Sequence, residues 1–285
     1  MISGTRYRLD QEINRQLALS RDIAAAQTQL STQKRIQSPS EDPVAAARIS
    51  SIGRAQANEA AWKSNLNLAA ALADRADTAL KAAGTAFDRV TELMTQGATG
   101  TLSDENRATI ALELRSIANE LTSLKDSKDS RGNALFMSGY SLRIPVQSGV
   151  QVIAVGTREE VFESAPTAGG PKDLAQIVSD AAAALEITDP TARKTAVAIS
   201  VDEVKAAVDH VATQRGEQGA LANRVDQLLE RQADTEVQMK EERSGLEDTD
   251  IQAVVARLSS QQLSLQAAQA VFARVNQNTL FDILR

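Results

Sequence analysis

The sequence predicts a mainly α protein: an elongated bundle of long antiparallel helices, with N- and C-terminal halves packed together, coiled-coil termini and a small β-containing inserted domain. Three observations predict it. Apolar residues recur at alternating gaps of three and four over long stretches towards both ends, which is the spacing of one helix face. Aromatics make up 3% of a chain that is 42% hydrophobic, so Ala, Leu and Val carry the burial, as slender helix packing requires. Gly and Pro cluster outside the periodic stretches, and a run of Val and Ile with flanking Gly and Ser falls in the middle.

Residues 1–34 read as a helix with Leu9, Ile13, Leu17, Ile23 and Leu30 inward, imperfect in period and marginal alone. A break follows at Ser38-Pro39-Ser40-Glu41-Asp42-Pro43. Asp42 supplies an N-cap acceptor, and Pro43 suits the first helical position. The next helix runs over 44–96, along Leu66, Ala69, Ala73, Ala76, Leu80, Ala83, Phe87, Val90 and Met94. At ~1.5 Å per residue it spans about 80 Å. Gly97 and Gly100 make a turn, and Ser103 caps a helix with Asp104 and Glu105 in its first turn. The inner face of that helix is Ile110, Leu114, Ile117, Leu121 and Leu124. It ends at Ser130-Arg131-Gly132-Asn133, and Leu135 to Gly139 reads as extended.

Tyr140 to Ile187 reads as the insert. Val150, Val152 and Ile153 suggest short strands, Gly169-Gly170-Pro171 a closing turn, and 173–185 a short helix. Thr188-Asp189-Pro190 opens another helix, with Val201, Val204, Val208 and Val211 inward. Past an irregularity at Gly216 and Gly219 it resumes at Leu221, Val225, Leu228, Thr235 and Met239, and it loosens at Ser244-Gly245. The predicted divisions are 1–43 (N-terminal assembly helix and break), 44–139, 140–187 (insert), 188–243 and 244–285 (C-terminal assembly helix).

The last stretch carries the clearest assembly signal. Ile251, Leu258, Leu265 and Phe272 fall on one seven-residue line, and Val254, Gln261, Ala268 and Val275 on the line beside it, with Leu280 beyond. Its outward positions are Ser, Gln, Ala, Asn and Arg, with almost no acid. A helix so poor in solvating charge is expected to be covered by other helices, here intermolecularly. For Leu66–Met94 and Ile110–Leu124 an intramolecular bundle is expected, with Leu221 onward as partner. The ends are electrically complementary: residues 1–40 hold six basic residues against three acids, and 217–285 hold seven against eleven.

Composition excludes several classes. A net charge of −6 argues against bulk nucleic-acid binding, and no apolar run has the length of a membrane span. Residues 1–9 lack the apolar core of a cleaved secretory signal. The chain has no Cys, which removes disulfides and thiolate chemistry. The single His, His210, lies between Asp209 and Val211 and reads as helix surface. Glu241, Glu242, Glu247, Asp248 and Asp250 lack the Gly and spacing of a calcium loop and read as a solvated linker. Gly216 and Gly219 are no phosphate loop, and no Ser, His and Asp arrangement suggests a nucleophile. Trp62 reads as a packing anchor. No catalytic, cofactor or metal residue is expected.

Three stretches resemble the bacterial flagellin and hook-associated protein family. They are Leu30-Ser31-Thr32-Gln33-Lys34-Arg35-Ile36-Gln37-Ser38-Pro39-Ser40-Glu41-Asp42-Pro43-Val44-Ala45-Ala46; Arg131-Gly132-Asn133-Ala134-Leu135-Phe136-Met137-Ser138-Gly139; and the terminal helix from Glu247-Asp248-Thr249-Asp250 through Leu258-Ser259-Ser260-Gln261-Gln262-Leu263 to Leu280-Phe281-Asp282-Ile283-Leu284. Flagellins usually carry Lys-Asp-Asp-Ala-Ala-Gly after the first break. Here Ser40-Glu41-Asp42-Pro43 is similar to the hook-associated members at the hook–filament junction. The resemblance covers roughly 1–139 and 189–285, and the insert matches nothing.

The resemblance implies a self-assembling structural subunit, exported unfolded through the flagellar type III apparatus with an export chaperone and without a cleaved signal. It implies an extracellular place between hook-associated protein 1 and the flagellin filament. It also implies terminal helices that order into a coiled coil on assembly. The alternative within the family is a short flagellin forming the filament itself. A signalling rod would need a membrane span or a hairpin tip. An enzyme would have to draw on the few polar groups of the insert, chiefly Arg158, Glu159, Glu160 and Glu163.

Overall fold

Aspartates start four of the helices. Asp42 Oδ1 accepts from Ala45 N at 3.0 Å and opens α2 (Pro43–Gly97). Asp173 Oδ1 accepts from Ala175 and Gln176 N and opens α4 (Leu174–Leu185). Asp189 Oδ2 accepts from Ala192 N at 2.7 Å and opens α5 (Pro190–Glu247). Asp250 Oδ1 accepts from Ala253 N at 3.1 Å and opens α6 (Ile251–Ile283). Each satisfies one of the orphan donors of a first turn. In α3 (Asp104–Lys125) the cap is Ser103, whose Oγ accepts from Asn106 N, as the sequence predicts. The first helix, α1, runs Ile2–Thr32. The computed structural model describes the backbone of residues 2–99 and 102–283 and the side chains of Tyr7, 10–99 and 102–274.

The chain forms two compact units, one of residues 58–234 and one of 1–57 with 235–285. In the first, all nine positions of the line from Leu66 to Met94 are buried, as are Ile110, Leu114, Ile117 and Leu121 of α3. The buried line of α5 has a strict interval of seven: Val197, Val204, Val211, Gln218, Val225 and Gln232. Its two polar members each find a carbonyl. Gln218 Nε2 donates to Ala154 O at 2.8 Å, and Gln232 Nε2 to Glu59 O at 2.9 Å. Val201, expected inward, is exposed, because the seven-residue line runs one step away through Val197 and Val204. α5 passes unbroken through Gly216 and Gly219 and continues beyond Ser244-Gly245 to Glu247, so neither predicted irregularity exists.

The middle of the chain adds two antiparallel hairpins to the same core. β1 (Arg143–Gln147) pairs with β2 (Val150–Ile153) across a turn at Gly149, whose φ of +74° favours Gly. A bulge between Pro145 and Gln147 interrupts the ladder. β3 (Ala165–Thr167) pairs with β4 (Gly170–Lys172), so the predicted closing turn at Gly169-Gly170-Pro171 is instead the turn and second strand of a hairpin. Leu135 to Gly139 is not a strand. Leu135 and Phe136 are buried, and the Phe136 ring meets Phe162 edge-on at 4.9 Å. Phe162 lies on a short π-helical turn, Glu159–Glu163. The buried Glu203 of α5 is paired with Lys172 Nζ at 2.7 Å, which also reaches Asp180 at 3.1 Å.

Candidate assembly surface

In the unit of residues 1–57 and 235–285, α1 and α6 pack together and the chain breaks beside them are clasped. After Thr32, Gln33 takes a left-handed φ of +58°, unusual for a side chain other than Gly. That turn lets Lys34 bridge antiparallel to Asp248. Thr249 N donates to Gln33 O at 3.0 Å, and Arg35 N to Glu247 O at 2.7 Å. The Arg35 guanidinium donates to Leu246 O at 3.0 Å and to Asp42 Oδ2 at 3.4 Å. Leu246 O is among the carbonyls that the end of α5 leaves without a helical partner. Asp42 caps α2. One arginine therefore joins the end of α5 to the start of α2, next to the end of α1.

Charge completes the clasp. Glu247 pairs with Lys34 and with Arg243 at 2.7 Å, and Arg48 pairs with Glu242 at 2.5 Å. The hydrogen bond from Lys34, then that from Arg243, holds the Glu247 carboxyl below its usual range. The Ala45 N–H, then the Arg35 guanidinium, does the same for Asp42. Exposed pairs like Arg48–Glu242 are screened by water and contribute little, so the backbone bonds hold the clasp. Of the predicted motif, Ser38 Oγ meets Ser40 Oγ at 2.7 Å and Ser38 O accepts from Glu41 N at 3.0 Å, a tight turn through exposed Pro39. Pro43 is the first residue of α2.

The terminal seam follows the predicted rhythm on α6. Val254 is buried, and Leu258, Gln261, Leu265, Ala268 and Phe272 are half-buried, at gaps of four and three. Ile251 is exposed. On α1 the matching line is Glu12, Gln16, Leu19, Ile23, Ala26 and Leu30. Ile23 and Leu30 therefore lie on the predicted face. Ile13 and Leu17 do not: they are 42% and 50% exposed. The seam takes the polar Glu12 and Gln16 in their place, so counting apolar residues alone puts the face one step off. The side chains of Leu9, Val275 and Leu280 lie outside the described residues. Among the described residues α1 covers one side of the α6 seam. Tyr7, Ile13 and Leu17 on α1, with Val255, Leu263 and Val271 on α6, stand open to solvent.

Other singled-out residues have local roles. His210 Nε2 lies 3.2 Å from Val161 O. Among the described residues no group of three or more His, Cys, Asp or Glu could hold a metal. Glu242 and Glu247 are ion-paired, Asp248 accepts from Ser244 and Asp250 caps α6, so these acids belong to the clasp rather than to a free linker. In the middle segment Glu159 accepts from Gly139 N and Ser138, which fixes the Met137-Ser138-Gly139 bend. Glu160 accepts from Thr157 N, Arg158 pairs with Asp126 and Glu163 with Lys125. Trp62 is half-buried. Among the described residues no helix is long and apolar enough to cross a membrane. The clasp had no local signal, since its partners lie 211 residues apart. Its only traces are an Arg beside a capped break and a second short break near the other end.

Comparison with known proteins agrees with this architecture. The bacterial flagellin N-terminal helical region matches residues 11–140, and the bacterial flagellin C-terminal helical region matches residues 201–284. Flagellar hook-associated protein 3 of Escherichia coli (strain K12) is 25% identical over 288 residues, covering 90% of each chain. The protein of that name from Salmonella typhimurium is 26% identical over 289 residues, covering 90% of this chain and 91% of its own. A flagellin of Listeria monocytogenes is 22% identical over 259 residues. Among solved structures, a flagellar hook-associated protein of Vibrio parahaemolyticus superposes with a TM-score of 0.66 at 19% identity, over 73% of this chain and 100% of that one. Flagellar hook-associated protein-3 of Legionella pneumophila gives 0.63 at 13%, over 70% and 98%. At these identities the structures speak for the fold.

Proposed function

Because the chain belongs to the bacterial flagellin family, we propose that it is a hook-associated structural subunit, the third of that series, which self-assembles at the hook–filament junction outside the cell. Its neighbours there are copies of itself, hook-associated protein 1 below and flagellin above. An export chaperone and the type III apparatus deliver it, and it performs no catalysis. Two relatives named hook-associated protein 3 match it over about nine-tenths of both chains, which supports the subtype.

The observation that carries the assembly reading is the unfinished cover of α1 and α6. They share one seam, and apolar residues such as Leu17, Leu263 and Val271 face water on the other side. Neighbouring subunits would cover Leu9, Ile13 and Leu17 on α1, and the flanks of Ile251, Leu258, Leu265, Phe272, Val275 and Leu280 on α6. The apolar area then buried is what offsets the entropy of ordering the two helices, so ordering and assembly are coupled. Deleting 259–285 is expected to leave 58–234 folded and to abolish incorporation. Circular dichroism of the purified deletion variant tests the first point, and immuno-electron microscopy of flagella the second: label at hook–filament junctions with the full chain and none with the deletion. Label spread along the filament would support the second reading, a short flagellin, which the Listeria match favours.

A further inference from the structure

Two surfaces on residues 58–234 are complementary, and among the described residues neither is covered by another part of its own unit. The first is the outer face of α3. Glu105, Ala108, Leu112, Ser116, Asn119 and Glu120 are all exposed there, and Leu112 at its centre is 64% exposed. Among the described residues Glu105 and Glu120 enter no ion pair. The second is a cleft of about 430 Å³ where the loop after α3 meets α2 and β1. Leu68, Leu72, Leu135 and Ile144 line it, Leu142 is 40% exposed at its mouth, and Arg131 and Arg143 stand beside it. Neither arginine side chain enters an ion pair among the described residues. Asp129 shares the lining and accepts from the Arg131 backbone N–H at 2.8 Å, so Arg143 is the cation without a neighbouring acid in that lining. A cation beside an apolar cleft, on a chain of net charge −6, favours an acidic, apolar-centred partner surface.

We propose that the Leu112 face of α3 in one copy docks into the Leu142–Arg143 cleft of the next copy, with its glutamates against Arg131 and Arg143. The occupant is a second copy of this chain because the chain itself presents a matching surface: exposed Leu112, with Glu105 and Glu120 about 10–12 Å to either side along the same helix. About 20 Å of helix separates Leu112 from the end of α3 near the cleft. The two surfaces of one copy therefore cannot meet each other, and the contact joins unlike patches. Such a contact repeats from subunit to subunit, closing into a ring or winding into a helix as the rotation dictates. The inference rests on the self-assembly reading and adds to it a contact away from the terminal helices.

The absence of Cys makes the test direct. The full chain carrying both Leu112→Cys and Leu142→Cys is produced in flagellated cells in place of the original, and isolated flagella are mildly oxidised. The expected result is a disulfide ladder extending past dimers, absent from either single variant. Adding Arg131→Glu and Arg143→Glu is expected to weaken the ladder roughly tenfold. The chain in flagella without a ladder overturns this inference and leaves the assembly reading standing. So does a ladder no stronger than that of Ser123→Cys with Leu142→Cys, since Ser123 shares the face but lies about 16 Å along it. A product that stops at dimers overturns it in favour of a two-fold pair. A benzophenone attached at Leu142→Cys that captures a chain of another size overturns the choice of occupant. Absence of the full chain from flagella overturns the assembly reading, and this inference with it.

Discussion

Replacing Leu265 with Asp is expected to abolish assembly while leaving residues 58–234 intact. Leu265 sits on the α6 seam against α1 and is half-buried. Full burial of Leu contributes about 1.5–3 kcal/mol, so its half-burial contributes about 1 kcal/mol. A carboxylate held against that seam loses part of its hydration and costs about 1–3 kcal/mol more. The docking of α1 with α6 therefore weakens by about 2–4 kcal/mol, while the core from Leu66 to Val225 contains neither partner. Hydrogen exchange resolves the two. Amides of α1 and α6 are expected to exchange roughly thirtyfold faster or more, at 1.4 kcal/mol per tenfold, and those of Leu66–Met94 at an unchanged rate. Incorporation into flagella is expected to vanish. Equal acceleration throughout α2, or retained incorporation, would refute the reasoning.

Three further predictions concern named contacts. Gln218→Leu keeps the volume but leaves Ala154 O without its donor in a buried site, costing about 1–3 kcal/mol; the urea midpoint is expected to fall with the slope unchanged. Gly97→Ala places a Cβ 2.7 Å from Cδ2 and 3.1 Å from Cδ1 of the buried Leu185, which must shift within the core; overpacking is expected to lower Tm by about 3–6 °C. Glu247 is held below its ordinary 4.5 by Lys34 and Arg243, so its contribution is fully present above that value and is lost as pH falls through the lower folded one. Exchange of the Thr249 amide, which donates to Gln33 O, is expected to show this loss on acidification, and Glu247→Gln to reduce it, with a remainder from Asp42.

Much of the fold is legible in the sequence because Ala and Leu at strict helical spacing leave one face to bury. The line from Leu66 to Met94 reads off directly, and so do the caps at Asp42 and Ser103. The α6 rhythm is equally legible, Gln261 included. What was hidden has physical causes. On α1 the seam runs through Glu12 and Gln16, whose polarity makes Ile13 and Leu17 look like the inward residues. On α5 the heptad line contains Gln218 and Gln232, which satisfy carbonyls that belong to other elements. β3 and β4 hold Pro166, Pro171 and Gly170, residues that ordinarily argue against strands. The Arg35 clasp depends on Leu246 and Glu247, and nothing in the local pattern of residues 30–43 points to them.

The seven-residue interval on α5 has a geometric result. A straight α-helix rotates such a line by about 20° per repeat, so the five repeats between Val197 and Gln232 would carry it about 100° out of contact. All six positions stay buried. That is the behaviour of a helix wound left-handedly about its neighbours, like a strand in a rope, and twisting it loose would have to free Gln218 and Gln232 from their carbonyls.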